Sequence, residues 1–266
     1  MNAIPPIIDE FRAARRNPDL AILEGFHAVK HAIRFGADLI ALLGTHADDA
    51  EDLAAVLAPD LKGHFAQSLR VVSEDTFSKL APRAPRTGVM AIARRPRVDI
   101  DAVLSSEARP VVLLEDPRNL GNIGACVRVA AAADIAAVLT TGTQDPWQPD
   151  VLRGAAGLHY AIPVCRIPEP TFHGRRLIAV DPEGEPFDPL EMPPTAVLAF
   201  GTERYGISDQ LLAHADQRVS IPMRDGVSSL NLATSVAAIF FAWRLAAQGD
   251  NALPSAVTRG HNLPAW

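Results

Sequence analysis

Short apolar runs alternate along the first hundred residues with stretches whose apolar positions recur every three or four residues, a pattern that predicts strands interleaved with helices. Strands are expected at 20–23, 39–43, 69–72 and 88–93, and helices at 24–35, around 48–57, and from a Ser73 cap through Thr76 to Leu80. The segment 94–101 is polar and bounded by proline, and it reads as a linker. An unbroken apolar run at 110–115 then enters the stretch DPRNLGNIGACVRVAAAADI, which reads as a Gly-rich turn opening a helix. Strands at 136–140, 162–165, 177–180 and 196–200, with a helix near 151–156, continue the alternation. Such a succession implies a mostly parallel sheet covered on both faces, with ligands bound outside the carboxyl ends of its strands. Three loops qualify: 116–124, 201–206 and 222–229.

The last long periodic segment begins at Leu232. Val236, Ile239, Phe240, Phe241 and Trp243 recur there with small alanines between them, so the helix is apolar on nearly all sides and is expected to pack against more than one partner, a second subunit included. Its entrance, Ser229-Leu230-Asn231, is polar, where the first N–H groups of a helix point at whatever occupies the loop. Capping by Ser228 or Ser229 is the plainer explanation of that polarity.

Composition narrows the class. The chain has 266 residues, 48% hydrophobic and 21% charged, enough for one large or two smaller globular units. The start lacks the order of a signal peptide and no apolar run approaches the roughly 20 residues of a membrane span, so a soluble cytoplasmic protein is expected. Cys126 and Cys165 are too few for a disulfide framework and neither sits at metal-ligand spacing, so no metal is expected. A net charge of −6 argues against a generally basic coat. Residues 1–100 hold 13 basic and 13 acidic residues, leaving 12 and 18 for the remainder. Within the balanced part Arg83, Arg86, Arg94, Arg95 and Arg97 crowd one Pro-punctuated segment, which offers RNA phosphate contacts or simply a solvated surface. Gly121 and Gly124 do not make a dinucleotide fingerprint, and no Gly-Lys-Ser/Thr of a phosphate-binding loop occurs.

Three segments taken together resemble the signature of the SpoU/TrmH family of SPOUT RNA methyltransferases. Asn122 to Arg128 matches N-x-G-x-x-x-R, the run from Gly201 to Gly206 matches G-x-E-x-x-G through Glu203, and Ile221-Pro-Met followed by Ser229-Leu230-Asn231 matches the third motif. Order and spacing agree across roughly 110–245. The Glu24-Gly25-Phe26-His27-Ala28-Val29 run extends the likeness to the family's small substrate-binding domain. The resemblance implies a C-terminal trefoil-knotted α/β domain at 109–248, an RNA substrate-binding domain at 1–100 with a linker near 94–108, a tail at 249–266, and a homodimer. It further implies S-adenosylmethionine-dependent methylation of a ribose 2′-hydroxyl in structured RNA, ribosomal RNA before transfer RNA. An RNA-binding homologue without activity is the alternative.

By position, the resemblance places Thr140, Gly201, Ile221 and Leu230 on the cofactor and Arg128, Asn122, Glu203, Ser229 and Asn231 in catalysis. Arg128 is cast by the family pattern as the base. Its guanidinium, with a pKa above about 12, is better suited to clamping the phosphate beside the target ribose and stabilising a developing alkoxide. Asn122, Asn231 and Ser229 would orient the hydroxyl and the arginine, and Glu203 would hold Asn122 or Arg128. Trp147, in a polar Pro-bounded loop, reads as a packing anchor before it reads as a base-stacking platform.

Overall fold

The structure is a computed structural model and describes residues 6–106, 108–170, 172–202 and 204–249. The expected tail at 249–266 falls, beyond Gly249, outside the described residues.

The chain begins with α1 (Pro6–Ala14), β1 (Leu20–Glu24), α2 (Phe26–Arg34), β2 (Leu39–Gly44), α3 (Ala47–Leu57), α4 (His64–Ser68), β3 (Arg70–Val71), α5 (Glu74–Ser78) and β4 (Val89–Arg94). The first sheet runs β1-β4-β2-β3, antiparallel except where β2 and β3 pair in parallel. Because strand side chains alternate in direction, β1 serves two cores: Ala21 and Leu23 pack with Phe26, Val29 and Phe65, while Ile22 packs with Ile8, Phe11 and Met90. The amphipathic helix α1, absent from the sequence-based reading, covers that second face with Ile7, Ile8 and Phe11. Ser73 caps α5 as expected, accepting the Thr76 N–H. The expected helix 24–35 starts later, since Glu24 ends β1 and Gly25, at φ 97°, supplies the turn.

The second part comprises α6 (Ile100–Ser105), β5 (Val111–Leu114), α7 (Leu120–Ala132), β6 (Ala137–Thr140), α8 (Pro149–Gly154), β7 (Val164–Arg166), β8 (Leu177–Pro186), β9 (Val197–Phe200), α9 (Asp209–Leu212), β10 (Gln217–Ser220) and α10 (Leu232–Gly249). Its sheet has the order β10-β8-β9-β5-β6-β7 and every pairing is parallel. Both faces are buried, as parallel strands require: Val112 and Leu114 lie under α7 and α10, and Val111 and Leu113 pack with Leu104 and Leu211. The segment read as a linker is therefore shorter than expected. α6 belongs to the second core through Leu104, and the buried Arg175 guanidinium fastens it by donating to the carbonyls of Val103, Leu104, Ser106 and Arg109.

The two sheets meet across α8 and the 3-10 turn that follows it (Leu158–Tyr160). Trp147 and Leu152 lie in the first sheet's core, with the indole N–H donated to the Val164 carbonyl at 2.9 Å. Trp147 is thus the packing anchor its surroundings suggested. Glu24, its side chain 1% exposed, accepts from Arg15 at 2.7 Å and from Arg153 of α8. Neither the acid nor its two arginine partners carries any signal in the local sequence, because the partners lie 9 and 129 positions away.

Candidate active site

The middle of β8, where its pairing with β9 ends, the carboxyl end of β9 and the loops after β9 and β10 line a cavity of about 320 Å³. Its walls mix the apolar side chains of Val180, Phe200, Ile221 and Leu230 with Gly201, Thr202 and Gly206 and the polar Ser229, Ser235 and Asp181. Gly201 cannot carry a side chain, since a Cβ there would come within 2.0 Å of the Gly206 carbonyl carbon, and Thr202 and Gly206 exchange two backbone hydrogen bonds at 3.0 Å. The loop is consequently folded flat against the strand end, which leaves backbone polar groups and aliphatic walls as the recognition surface. That lining fits a ligand with a flat heteroaromatic part and a polar, charged part, as S-adenosylmethionine has. Gly201, Ile221, Leu230 and Ser229 all line this cavity. Thr140 does not: it is fully buried at the end of β6, its hydroxyl without a partner among the described residues. Side chains at the end of a parallel strand can turn into the core as readily as toward a loop, and position along the motif does not distinguish the two.

Two residues outside the expected set shape the same region. Glu115, at the end of β5, accepts from the Ser208 N–H at 2.7 Å and from its hydroxyl at 2.6 Å, tying the loop after β9 to the centre of the sheet. Asp181 accepts from Arg218 at 2.6 Å across β8 and β10. An acidic residue directly after an apolar run, 111–114 or 177–180, is the available signal for both.

α7 opens with Asn119 as its cap, accepting the Asn122 N–H at 3.1 Å, so Asn122 is a first-turn residue rather than the cap. Asn231 caps α10, its Oδ1 accepting the Ala233 N–H at 2.9 Å, in place of Ser228 or Ser229. The same Asn231 donates through Nδ2 to Asn122 Oδ1 at 3.0 Å. Residues 109 positions apart thus meet where two helix N-termini converge beside the cavity. Gly121 and Gly124 lie inside the helix, not in a turn before it. At Gly124 a Cβ would come within 2.5 Å of the Val151 carbonyl oxygen, so its role is the close packing of α7 on α8.

Arg128 sits farther along α7, exposed and without an ion pair among the described residues. The structure does not bring it into hydrogen-bonding contact with the asparagine pair; its electrostatic neighbours are His27 and Lys30 of α2. Glu203 lies outside the described residues. Of the five arginines, Arg83, Arg86 and Arg97 are exposed, and Arg94 is exposed with Asp38 at 2.9 Å. Arg95 is different. It is turned inward, donating to the Leu20 carbonyl at 2.7 Å and to Asp145 at 2.8 Å, with its guanidinium 5.9 Å from the Trp147 ring centroid, so it joins the two sheets and is not available to an RNA strand.

The profile of the SpoU rRNA Methylase family matches residues 109–241, from the strand before the Asn122 turn to the middle of α10. The chain belongs to this family. An uncharacterised tRNA/rRNA methyltransferase of Mycobacterium bovis is 31% identical over 264 residues, covering 89% of this chain and 88% of that protein. A 23S rRNA (adenosine(1067)-2′-O)-methyltransferase of Streptomyces azureus is 26% identical, covering 88% and 89%. The fold matches that of the SpoU methyltransferase AviRb from Streptomyces viridochromogenes, solved in complex with the cofactor AdoMet, with a TM-score of 0.73 at 23% identity over 91% of this chain and 98% of that one. This SpoU family member therefore shares with its relatives the first sheet as well as the second, since coverage near nine-tenths cannot be confined to residues 109–241.

Proposed function

We propose that the chain transfers a methyl group from S-adenosylmethionine to a ribose 2′-hydroxyl of ribosomal RNA. The observation that carries this reading is the Asn122–Asn231 hydrogen bond beside a cavity lined by Gly201, Ile221, Leu230 and Ser229. When bound, the cofactor supplies a methyl group on a positively charged sulfur. The chain's own residues hold and orient the acceptor. Asn122 and Asn231, fixed to each other and to their helices, present amide donors and acceptors to the ribose hydroxyl; Ser229 extends that polar edge toward the cavity. Arg128 holds the phosphate beside the target ribose and stabilises negative charge on the oxygen as the hydroxyl proton leaves to phosphate or water. Positioning accounts for much of the rate in such a transfer. Glu203 is proposed, on the motif alone, to orient Asn122 or Arg128.

Ribosomal RNA as the substrate is supported by the Streptomyces azureus relative, which spans both sheets. Residues 1–100 act as the substrate-binding part, with Arg83, Arg86, Arg94 and Arg97 as phosphate contacts, and the protein works in the cytoplasm. Among the described residues no helix is long and apolar enough to cross a membrane and no cluster of potential metal ligands occurs. A homodimer fits α10, with a difference from the expectation: Val236, Ile239, Phe240 and Trp243 are all consumed by the chain's own core, whereas Phe241 is 39% and Leu245 66% exposed. A second copy would cover these two.

Methylation of 23S ribosomal RNA transcript by the purified chain, with the product mapped as a 2′-O-methyl nucleotide, tests the proposal. Absence of methyl incorporation into any ribosomal RNA while S-adenosylmethionine binds would overturn it.

A further inference from the structure

The seam between the two sheets holds three basic side chains, His27, Lys30 and Arg128, that make no ion pair among the described residues. α2 and α7 reach this seam from opposite sides, and each is fixed to the α8 segment between them. On the α2 side the Gly157 backbone lies so close to Ala28 that a Cβ would come within 2.3 Å of the Ala28 carbonyl oxygen, and His31 Nδ1 is 2.8 Å from the Ala156 carbonyl. On the α7 side Gly124 packs just as closely on Val151 and Gly154. His27 immediately precedes Ala28, Lys30 lies three positions after His27 and so on the same helical face as His27, and Arg128 stands one turn beyond Gly124.

None of these three takes part in an ion pair among the described residues. Lys30 is 8% exposed and donates to the Leu57 carbonyl at 3.1 Å. A carboxylate acting on it, that of Asp60, is gripped by the Arg34 guanidinium through Nε and Nη2 at 2.8 and 2.6 Å. Burial lowers the proton affinity of His27, and the charges of Lys30 and Arg128 lower it further, so the three groups feel one another across the seam. Placing the Arg34 and Arg128 charges near a buried ammonium whose carboxylate neighbour is shared with Arg34 costs stability, and an arriving anion offsets that cost.

We infer that His27 and Lys30 of α2, together with Arg128 of α7, grip one phosphodiester of the RNA next to the nucleotide offered to the Asn122–Asn231 site. His27 and Lys30 are positioning residues: they act on RNA placement through the phosphate and touch neither the cofactor cavity nor the reacting oxygen. The site joins one element from each sheet, so it fixes the strand relative to both. The inference rests on the RNA methyltransferase reading.

The test uses the full chain, a 23S ribosomal RNA transcript, and the variants His27→Ala, Lys30→Gln and Lys30→Arg. RNA affinity is measured between about 50 and 200 mM salt, the range over which phosphate contacts dominate the dependence. Lys30→Gln is expected to weaken binding about tenfold and to flatten the slope of log affinity against log salt by about 0.7 to 0.9, the value of one lost phosphate contact. His27→Ala is expected to weaken binding several-fold and raise KM for RNA more than it lowers kcat, with the slope unchanged because a neutral imidazole displaces no counterion. Lys30→Arg restores the slope. Cofactor affinity stays that of the unaltered chain in all three. Unchanged RNA affinity and KM in His27→Ala, an exposed position where folding is not at stake, overturns the inference, as does an unchanged slope in a folded Lys30→Gln variant. An unaltered chain that binds the transcript through this site yet transfers no methyl group overturns the proposed function and leaves the site standing.

Discussion

Replacing Glu24 by alanine tests whether the two sheets are held by the ion-pair clamp at their junction. Both carboxylate oxygens are engaged, one by Arg15 and one by Arg153, and the side chain is 1% exposed. Removing one partner of a fully buried pair costs about 3–5 kcal/mol, chiefly because the remaining charge is stranded. Here the strandedness is partial. Arg15 keeps the Leu80 carbonyl at 2.9 Å and Arg153 keeps Asp150 at 2.9 Å, and the two arginines are 24% and 45% exposed. The expected loss for Glu24→Ala is therefore lower, about 2–3 kcal/mol. Glu24→Gln retains the shape and one acceptor but turns an amide N–H toward the other arginine, so about 1–2 kcal/mol is expected. Equilibrium urea unfolding of the full chain measures both, and a double-mutant cycle with Arg153→Ala isolates the bond that crosses between the sheets. A Glu24→Ala variant within about 0.5 kcal/mol of the unaltered protein, the usual range for surface changes, would refute the reasoning.

Other outcomes follow from the same contacts. Gly124→Ala forces α7 away from α8, so a destabilisation of about 1–3 kcal/mol is expected, seen as a Tm lower by about 2–4 °C per kcal/mol. Asn231→Ala removes both the α10 cap and the bond to Asn122; it should lower stability by about 1 kcal/mol and depress methyl transfer far more than cofactor binding, which single-turnover kinetics and calorimetry separate. Arg128→Ala should abolish transfer with cofactor affinity retained, and Arg128→Lys should stay poor because a point charge does not replace a planar fork. His159 is buried and its pKa is pushed down to about 4, first by burial and then by Arg95, against the bond to Pro146, so the folded state binds its proton more weakly than the unfolded chain. Its contribution is complete above the unfolded value near 6.5 and is lost as pH falls toward 4, and replacement by glutamine should shrink the fall in urea midpoint between pH 7 and pH 5.

The junction also decides what truncation does. Beginning the chain near Asp101 would strip the first sheet from Trp147 and Leu152, which lie at 5% and 0% exposure in its core. Such a fragment is expected to aggregate or unfold at lower temperature than the full chain, not to behave as an independent unit. Thermal unfolding of both forms, followed by light scattering, provides the check.

The apolar runs at β5, β6 and β9 and the capped or Gly-opened helices are legible in the sequence because the pattern of burial is a local property: an unbroken apolar run for a strand with two covered faces, a period of about 3.6 for a helix. The three motifs were legible because their residues are close in the chain, and Gly201, Ile221, Ser229 and Leu230 do line one cavity. α1 carries no place in the sequence reading, which begins its elements at Leu20, although Ile7, Ile8 and Phe11 share one apolar face. Asn231 takes the cap that Ser228 or Ser229 is equally suited to fill, a choice that backbone φ and ψ decide. What needed the tertiary structure is whatever joins distant positions: Asn122 to Asn231, Glu24 to Arg153, Arg95 to Asp145, and Arg128 to His27 and Lys30 of α2. A basic residue looks the same in the sequence whether it faces solvent, as Arg97 does, or a buried junction, as Arg95 does, because the difference lies in which carboxylates and rings the fold brings to it.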